Sequence, residues 1–192
     1  RMMQRYARGT VIATSENLVY QGAQNLENYL HNVETLLLVP YSNSALYQRL
    51  STDSAPGYEL DSYVNLTLKA SAVSDPTIYQ AHLYADSQHA SYLVRSSVFS
   101  KSNVDAAPEQ QQLWIEPLHQ SSNYGVGTVK RQQPQDVVSL HRTLWRVPED
   151  TYIGQIDIDL TTDYLDSVMQ KLKTNAQETV CLLLSDGTPV FA

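Results

Sequence analysis

The spacing of apolar residues changes near Pro76, and this change constrains the fold more than any other feature of the sequence. Between residues 14 and 39, apolar residues recur with the period of an amphipathic helix. They are Leu18, Leu26, Leu30, Val33 and Leu37. From residue 77 to residue 87 the period is two, which is typical of a strand. The chain therefore predicts long helices first and a sheet afterwards.

Prolines and capping residues divide the helical part into three predicted helices. Pro40 ends or kinks the long helix, because proline lacks the N–H that a helix interior needs. Residues 42–50 predict a short second helix with Ser42 or Asn43 as its cap. A third helix is expected over residues 61–72.

The second half of the chain predicts an antiparallel sheet of five or six strands. Residues 92–101 are expected to pair with residues 77–87 as a hairpin, whereas residues 102–127, with Pro108 and Pro117, predict loops and a short helix. Further strands are predicted at 127–132, 136–147 and 151–160, followed by a helix capped by Thr161 or Thr162 and a closing hairpin around Asp186 and Gly187. Long N-terminal helices packed on such a sheet make an α+β fold.

Composition excludes some classes of function. The chain has 192 residues, of which 42% are hydrophobic and 17% charged, so it can bury a substantial core. A net charge of −7 argues against nucleic acid as a partner, since phosphate binding needs a clustered basic face. The single cysteine, Cys181, lies in an apolar run and is predicted to be a buried hydrophobe.

Asp157 and Asp159 are the most distinctive polar pair, because residues two apart in a strand point to the same face. They could be an acid/base pair, a metal site, ligand anchors or the solvated side of an amphipathic strand. The five histidines show no metal-ligand spacing, and no nucleophile or phosphate-binding motif accompanies the aspartates. We therefore predict no catalytic residues, no metal and no cofactor. Asp159 is the preferred ligand anchor, and Asp157 is interpreted as a solvated or loop-bonding carboxylate.

The two tryptophans suggest a small-ligand pocket. Trp114 lies in a polar segment, where it suits a lid or pocket wall, and Trp145 is flanked by Arg142 and Arg146. Large aromatic side chains with cations nearby are typical of concave ligand sites. The alternative for both is packing over the sheet.

Four segments, in order, resemble the extracellular Cache (PAS-like, PDC) sensor domains of bacterial two-component sensor histidine kinases, notably those of the YesM-like type. Residues 25–50 are similar to their long stalk helix, and residues 78–87 to their first sheet strand. Residues 114–122, "WIEPLHQSS", resemble their pocket lid. Residues 136–172 and 180–192, with "IGQIDIDL" and "DGTPVFA", resemble their closing strand–strand–helix–hairpin unit.

This resemblance implies an input domain on the extracellular face of a bacterial plasma membrane that binds a small polar molecule. It implies a stalk helix and a short second helix in residues 1–57 and a membrane-distal sensor module in residues 58–192. The receptor is expected to be a homodimer tethered to the membrane by segments outside this chain, which is not itself an enzyme because the kinase segments are absent from it. Ligand binding is expected to move the helix of residues 18–37 against its dimer mate. Two alternatives are a docking platform for a solute-binding or membrane partner protein and a hydrolase or lyase of unrelated fold.

The resemblance also implies site residues. Trp114 matches the tryptophan of amino-acid-binding relatives, and Asp159 matches the aspartate that holds the ligand's amino group. Gln112 and Ile115 replace the family's arginine and first tyrosine, and the second tyrosine position falls near Lys130 or Arg131. Another polar ligand, such as a sugar or a short peptide, or a partner protein therefore fits no worse than an α-amino acid, and a purely structural pocket without a ligand is a further alternative. The predicted ligand-binding residues are Trp114, Asp159, Asp157, Arg131, Arg142, Tyr84, Tyr124 and Trp145.

Overall fold

Helices precede strands along the chain, as the change of hydrophobic period predicts. The computed structural model describes residues 2–53, 57–109, 115–127 and 133–192, with side chains from residue 16 onward. The helices are α1 (Met2–Leu36), α2 (Val39–Ser42), α3 (Ser44–Leu50), α4 (Gly57–Ser74) and α5 (Asp163–Leu172). The strands are β1 (Ile78–Ala85), β2 (Ala90–Arg95), β3 (Val98–Asn103), β4 (Ile115–Gln120), β5 (Asp136–Arg146), β6 (Thr151–Thr161), β7 (Leu182–Leu183) and β8 (Pro189–Phe191). The predicted α+β class is confirmed.

The ends of the helices follow local sequence signals. α1 ends at Leu36, and Pro40 lies in the first turn of α2, where a missing N–H leaves no helical bond unmade. The Asn43 side chain caps α3 by accepting a hydrogen bond of 3.1 Å from the Leu46 N–H. α4 begins at Gly57 rather than at residue 61, and its first turn already buries Leu60.

Six of the described strands form one antiparallel sheet in the order β3-β2-β1-β6-β5-β4. β1 and β6 are therefore neighbours at the centre of the sheet although they are far apart in the sequence. Their register pairs Gln80 with Asp159 and His82 with Asp157. Since paired residues of antiparallel strands share a face, these four side chains lie on one side of the sheet.

Both faces of the central strands are buried. On one face lie fully buried apolar residues: Ala81, Leu83, Val138, Leu140, Ile156, Ile158 and Leu160. Helix α4 packs against β1 and β2 on this side, where the Tyr92 hydroxyl donates to Asp61. On the other face, Asp157 and Asp159 are each only 1% exposed. The interpretation of Asp157 as a solvated carboxylate is therefore wrong.

Two predictions about the strands need correction. Residues 92–101 form two strands rather than one, because Ser96 and Ser97 have φ angles of 48° and 63° and turn the chain back on itself. Residues 115–120 form β4 rather than a loop or helix. Pro117 is tolerated there because β4 is an edge strand with a break in register between Glu116 and His119. Most of the predicted strand at residues 127–132 lies outside the described residues.

The chain divides into two units. One unit contains residues up to Asn32 together with Asp163–Ala192, and in it the Tyr29 and Tyr164 rings lie 4.4 Å apart. The predicted closing hairpin is present there as β7 and β8, whereas Cys181 is exposed rather than buried because the hairpin strands are short. The other unit, Val33–Thr162, contains the six-stranded sheet. The division at residue 57 stays a prediction.

Among the described residues, no helix has both the length and the apolar character needed to cross a bilayer.

Candidate functional site

One face of the sheet carries a row of buried polar side chains. Each of them is at most 6% exposed: Gln80, His82, Ser91, Arg95, Ser139, His141, Gln155, Asp157 and Asp159. They come from alternate positions of β1, β2, β5 and β6, so the period-two pattern of each strand places them on the same side. Burying polar groups is costly unless they are paired. These side chains accordingly form two connected networks.

The first network is the histidine cluster, which we define as His82, His141, Asp157 and Glu116. Each oxygen of Asp157 contacts one imidazole: Oδ2 lies 2.6 Å from Nδ1 of His82, and Oδ1 lies 2.6 Å from Nδ1 of His141. A carboxylate only accepts hydrogen bonds, so both Nδ1 atoms donate. His141 Nε2 in turn lies 2.8 Å from Glu116 Oε2 on the edge strand. The cluster thus alternates acidic and basic groups across four strands.

Charge balance keeps the histidine cluster ionised. Burial lowers the pKa of His141, but hydrogen bonds to Asp157 and Glu116 outweigh it and raise that pKa to about 9. Burial raises the pKa of Asp157, but hydrogen bonds from His141 and His82 outweigh it and lower that pKa to about 2. At neutral pH the cluster therefore holds an imidazolium of His141 between two carboxylates.

The second network is the arginine cluster, which we define as Arg95, Gln80, Asp159 and Ser139. The Gln80 amide links the other members, because its Nε2 donates to Asp159 Oδ2 at 2.5 Å and its Oε1 accepts from Arg95 Nε at 2.8 Å. Ser139 Oγ donates to Asp159 Oδ1 at 2.5 Å. The donors described around Asp159 are thus neutral, whereas those around Asp157 include the imidazolium of His141.

The surroundings of Asp159 disfavour its charge. Burial raises the pKa of Asp159 above its ordinary value, and the nearby charge of Asp157 adds to this effect. Hydrogen bonds from Ser139, Tyr124 and Gln80 act in the opposite direction but do not cancel it. Asp159 is therefore a carboxylate whose charge would be stabilised by a cationic or strongly donating group.

Residues 121–127, which we call the covering segment, lie over the arginine cluster. The Tyr124 hydroxyl donates to Asp159 Oδ1 at 2.6 Å, and the Tyr124 ring stacks on the His82 ring with centroids 4.2 Å apart. Ser122 O accepts from Gln80 Nε2 at 2.8 Å, and Asn123 Oδ1 accepts from Arg95 Nη2 at 2.8 Å. Burial raises the pKa of Tyr124, so its hydroxyl stays a neutral donor. Tyr124 and Gly125 have φ angles of 51° and 77°, which turn the segment down onto the sheet.

A cavity adjoins the arginine cluster at the covering segment. Its volume is about 130 Å³. The residues that line it are Tyr79, Arg95, Ser121, Asn123, Gln133 and Pro134. The Arg95 guanidinium lies 5.0 Å from the centroid of the Tyr79 ring. The cavity thus has one buried cation, one aromatic wall and several neutral polar groups.

Solved structures with this arrangement of helices and strands include sensory domains. The sensory domain of the Campylobacter jejuni chemoreceptor Tlp3 (CcmL) with isoleucine bound aligns with a TM-score of 0.60 and 13% identity over 93% of this chain and 70% of that chain. The ligand-binding domain of Tlp3 with L-norvaline gives 0.61 and 13% over 96% and 69%. A domain of a sensory box/GGDEF family protein from Vibrio parahaemolyticus gives 0.51 and 13% over 81% and 62%. The chain has the fold of these sensory domains.

The sensory-domain fold confirms the predicted PAS-like architecture. No family model matches the chain, and the search of curated proteins found no match. At this level of identity, similarity of structure establishes the fold and leaves the ligand open. The YesM-like type stays a prediction.

Within the sensory-domain fold, three of the predicted site residues come together. Asp157, Asp159 and Tyr124 contact one another or a shared partner on the polar face. Tyr84 is on the same face, and its hydroxyl donates to Asp86 at 3.1 Å. Burial, the largest cause, raises the pKa of Tyr84 to about 12. None of these contacts tests the ligand-binding role of the four residues, which stays a prediction.

The other predicted residues are placed differently. Arg142 pairs with Ile156 and so lies on the opposite, apolar face, where its Nη2 is 3.6 Å from Glu34 Oε1. Trp145 lies at the end of β5, is 37% exposed and packs edge-on against a tyrosine. Trp114 and Arg131 lie outside the described residues.

Sequence reasoning missed His82, His141, Arg95 and Gln80 as members of the site. Each of them occupies an alternate position of a strand in which most of the intervening positions are apolar. A polar residue at every second position of a buried strand was the available signal. It does not say which strands are neighbours, and the contacts depend on that.

Ser91, His82 and Asp157 have the distances of a hydrolytic triad, but their location argues against hydrolysis. Ser91 Oγ lies 3.0 Å from His82 Nε2, whose ring also contacts Asp157. However, Ser91 is only 2% exposed and is paired on both sides, to β1 and to β3, so its backbone is engaged in the sheet. A substrate carbonyl cannot reach such a hydroxyl, and the strand offers no oxyanion hole. In the part of the chain that the structure describes, no group of three or more His, Cys, Asp or Glu residues could hold a metal ion.

Proposed function

We propose that this chain is the ligand-sensing input domain of a membrane-bound two-component sensor histidine kinase, exposed on the extracellular face of a bacterial plasma membrane. Its ligand is a small polar molecule that binds between the polar face of the sheet and the covering segment. The observation that carries the proposal is a cavity beside that segment that is lined by the buried Arg95, which the Gln80 amide links to the buried Asp159. Convergent polar groups at a cavity are typical of small-molecule sites.

The covering segment is suited to respond to a ligand, because polar contacts tie it to the arginine cluster. Ser122 O, Asn123 Oδ1 and the Tyr124 hydroxyl each bond a group of that cluster. Exchange of one hydrogen bond for another has a small net free energy. A ligand that offers equivalent groups can therefore displace the segment or hold it closed at low cost.

Tyr124 marks the position where such an exchange would occur. Its hydroxyl donates to Asp159 Oδ1, an atom that a ligand amine or hydroxyl could use instead. The movement of Tyr124 would also uncover the His82 ring on which it stacks. A ligand signals only if it binds one position of the segment more tightly than the other, by about 1–3 kcal/mol for typical couplings.

The receptor context rests on the resemblance of the sequence to Cache domains and on the sensory-domain fold. Solved structures with this fold include chemoreceptor domains that hold isoleucine or L-norvaline. In this context the long α1 would transmit the signal within a homodimer, and Trp114 and Arg131 would add to the pocket. The chain itself would have no enzymatic role.

A thermal-unfolding screen tests the proposal. Sugars, amino acids, carboxylates and short peptides are added one at a time to the wild type and to Asp159→Ala. A true ligand at about a hundred times its Kd adds about 2.7 kcal/mol of stability, which corresponds to a rise in Tm of about 5–10 °C for a chain of this size. We expect at least one compound to give this rise in the wild type and not in Asp159→Ala.

The exposed Asp136, on a strand of the same sheet, provides the matched control. Asp136→Ala should leave the ligand response unchanged. A response that survives in Asp159→Ala would place the ligand elsewhere. If no compound of any class raises Tm, the chain is better explained as a docking platform for a partner protein.

A further inference from the structure

We propose that Arg95 is the anchor of an anion-binding subsite, and that the ligand carries a carboxylate group that enters the cavity beside this guanidinium. This inference rests on the proposed function, because it names the chemical class of the ligand at the same site. It goes further by assigning a residue that neither the motifs of the sequence nor the resemblance to Cache domains singles out.

Arg95 has no carboxylate partner in the part of the chain that the structure describes. Its described hydrogen-bond partners are all neutral: Gln80 Oε1 at 2.8 and 2.5 Å, Asn123 Oδ1 at 2.8 Å and Ser122 O at 3.5 Å. Among the residues that the structure describes, no Asp or Glu lies within ion-pair distance of this guanidinium.

The other arginines with described side chains behave differently. Each contacts a glutamate: Arg49 with Glu59 at 2.9 Å, Arg142 with Glu34 at 3.6 Å and Arg146 with Glu149 at 3.4 Å. Those side chains are between 24% and 41% exposed, whereas Arg95 as a residue is 6% exposed. The most buried of these four cations is thus the one without a carboxylate.

A buried cation without an anion is unstable unless something compensates it. Asp159 provides part of the compensation, but only through the intervening Gln80 amide, and burial raises the pKa of that aspartate. A ligand carboxylate in direct contact with Arg95 would supply the missing charge. Asp159 would then remain as the anion of the arginine cluster, and hydrogen-bond donors elsewhere on the same ligand could bind it.

The guanidinium has donors available for such a ligand. Arginine has five N–H donors, and the described hydrogen bonds of Arg95 use Nε and Nη2. None of them, within the described part of the chain, uses Nη1. Arginine binds carboxylates through paired N–H groups, so Nη1 can donate to a carboxylate directly, and Nη2 completes the fork when the ligand displaces Asn123 Oδ1.

The cavity limits the size of the group that Arg95 can bind. Its volume of about 130 Å³ is well above the ~10–15 Å³ that one water molecule needs. This accommodates a small organic acid or the acidic end of a larger molecule. The Tyr79 ring supplies an apolar wall, and Ser121, Asn123 and Gln133 supply neutral polar contacts. The expected ligand is therefore a short monocarboxylate with a polar substituent.

A purely structural role for Arg95 makes a different prediction. If Arg95 only holds the covering segment through Ser122 and Asn123, its replacement lowers stability without changing any response to carboxylates. The two roles are therefore separated by the ligand response of a variant and not by its stability.

The test measures thermal unfolding at constant ionic strength with sodium acetate, propionate, pyruvate and lactate. Acetamide, propionamide and lactamide serve as neutral probes of similar shape, and inorganic phosphate and sulfate serve as non-carboxylate anions. We expect at least one carboxylate to raise Tm, its amide and the inorganic anions to have no such effect, and Arg95→Gln to weaken the apparent affinity by about tenfold or more.

Arg49→Gln is the matched control, because Arg49 also lies over a tyrosine ring, at 4.3 Å from Tyr63, but is already paired with Glu59. It should keep the full carboxylate response. If Arg95→Gln does not fold, Arg95→Lys retains the charge and is expected to bind more weakly than the wild type. In the wild type, the Nε–H resonance of Arg95 should shift on titration with the carboxylate.

Each contrary result has a distinct meaning. An amide that binds as well as its acid, an unchanged response in Arg95→Gln, or an unmoved Arg95 resonance on saturation would overturn the anion subsite while leaving the proposed sensory function intact. An equal response to phosphate and sulfate would overturn the assignment to a carboxylate. If neither these probes nor any compound of the wider screen binds, both the subsite and the sensory function are wrong.

Discussion

Asp157 and Asp159 lie two residues apart on the same face of β6 and are equally buried, yet their surroundings have opposite effects. Asp157 lies between two imidazoles, which lower its pKa to about 2 despite its burial. Asp159 is bonded to an amide and two hydroxyls, and burial raises its pKa. The charge of the contacting donors, and not the depth of burial, separates the two carboxylates.

This difference separates a structural half of the polar face from the half that we propose to be the ligand-binding half. In the histidine cluster, Asp157, His141 and Glu116 satisfy one another, so the cluster is complete without a ligand. The arginine cluster has a cation without a carboxylate partner among the described residues and an aspartate whose charge is disfavoured, next to a cavity. Titratable pairs with pKa values displaced in opposite directions are common at functional sites.

The largest expected effect comes from the same substitution at the two aspartates. Asp157→Asn leaves His82 and His141 facing an amide, of which only one atom can accept, and removes the charge that balances His141. Loss of one partner of a buried ion pair costs about 3–5 kcal/mol. Asp159→Asn loses no direct contact with a cation among the described residues and should cost about 1 kcal/mol.

Urea unfolding of the two variants, with the midpoints and slopes compared, measures this contrast. Equal losses of unfolding free energy would mean that the two aspartates are held by similar forces. A greater loss in Asp159→Asn would reverse the assignment of the structural and ligand-binding halves.

The next effect is a dependence of stability on pH that arises from the histidine cluster. The pKa of His141 is raised from 6.5 to about 9 in the folded chain, so its stabilisation is complete below pH 6.5 and is lost as the pH rises through 9. Asp157 acts at the other end: its stabilisation is complete above pH 3.8 and is lost as the pH falls toward 2. The raised pKa of Asp159 has the opposite sign and partly offsets Asp157 in acid.

Urea unfolding at a series of pH values tests this dependence. The rise in the pKa of His141 corresponds to about 3 kcal/mol of unfolding free energy. This amount is counted once for the pair, because His141 and Asp157 share the interaction. The loss between pH 6.5 and 9 should be absent in His141→Gln and present in the control His31→Gln. An alkaline loss that persists in His141→Gln would have to arise from other groups, and the histidine cluster would not be the charged half of the face.

The sequence predicts the two faces of β6 but not the partners of its aspartates. Alternation within residues 151–160 is local, and it correctly directs Ile156 and Ile158 away from Asp157. The cap at Asn43 is equally local and was also predictable. The contacts of Asp157 require β1 and β5 to lie on either side of β6, and no local pattern specifies this neighbourhood.

β4 shows a second reason why the sequence was insufficient. Pro117 argues against a strand interior, and it is accommodated only because β4 lies at the edge of the sheet. Edge position, like the neighbours of β6, is a property of the assembled sheet. Glu116, which completes the histidine cluster, was therefore not predicted as part of the site.

The smallest expected effect tests whether the covering segment is bound to the ligand-binding half through its tyrosine. Tyr124→Phe removes the hydroxyl that donates to Asp159 at 2.6 Å but retains the ring that stacks on His82. One such hydrogen bond contributes about 0.5–1.5 kcal/mol. The hydroxyl of Tyr152 in the same sheet is buried without a hydrogen-bond partner among the described residues. Tyr152→Phe should therefore leave the free energy of unfolding unchanged or raise it slightly.

The two phenylalanine variants differ in one respect that bears on function. Without the Tyr124 hydroxyl, Asp159 loses one of the hydrogen bonds that lower its pKa, and its oxygen becomes available to a ligand. Tyr124→Phe should thus lose stability and bind the ligand at least as tightly as the wild type, whereas Tyr152→Phe changes neither quantity. If Tyr124→Phe is as stable as Tyr152→Phe, the segment is held by Ser122 and Asn123 alone. The ligand would then displace contacts of Arg95 and Gln80 rather than of Asp159.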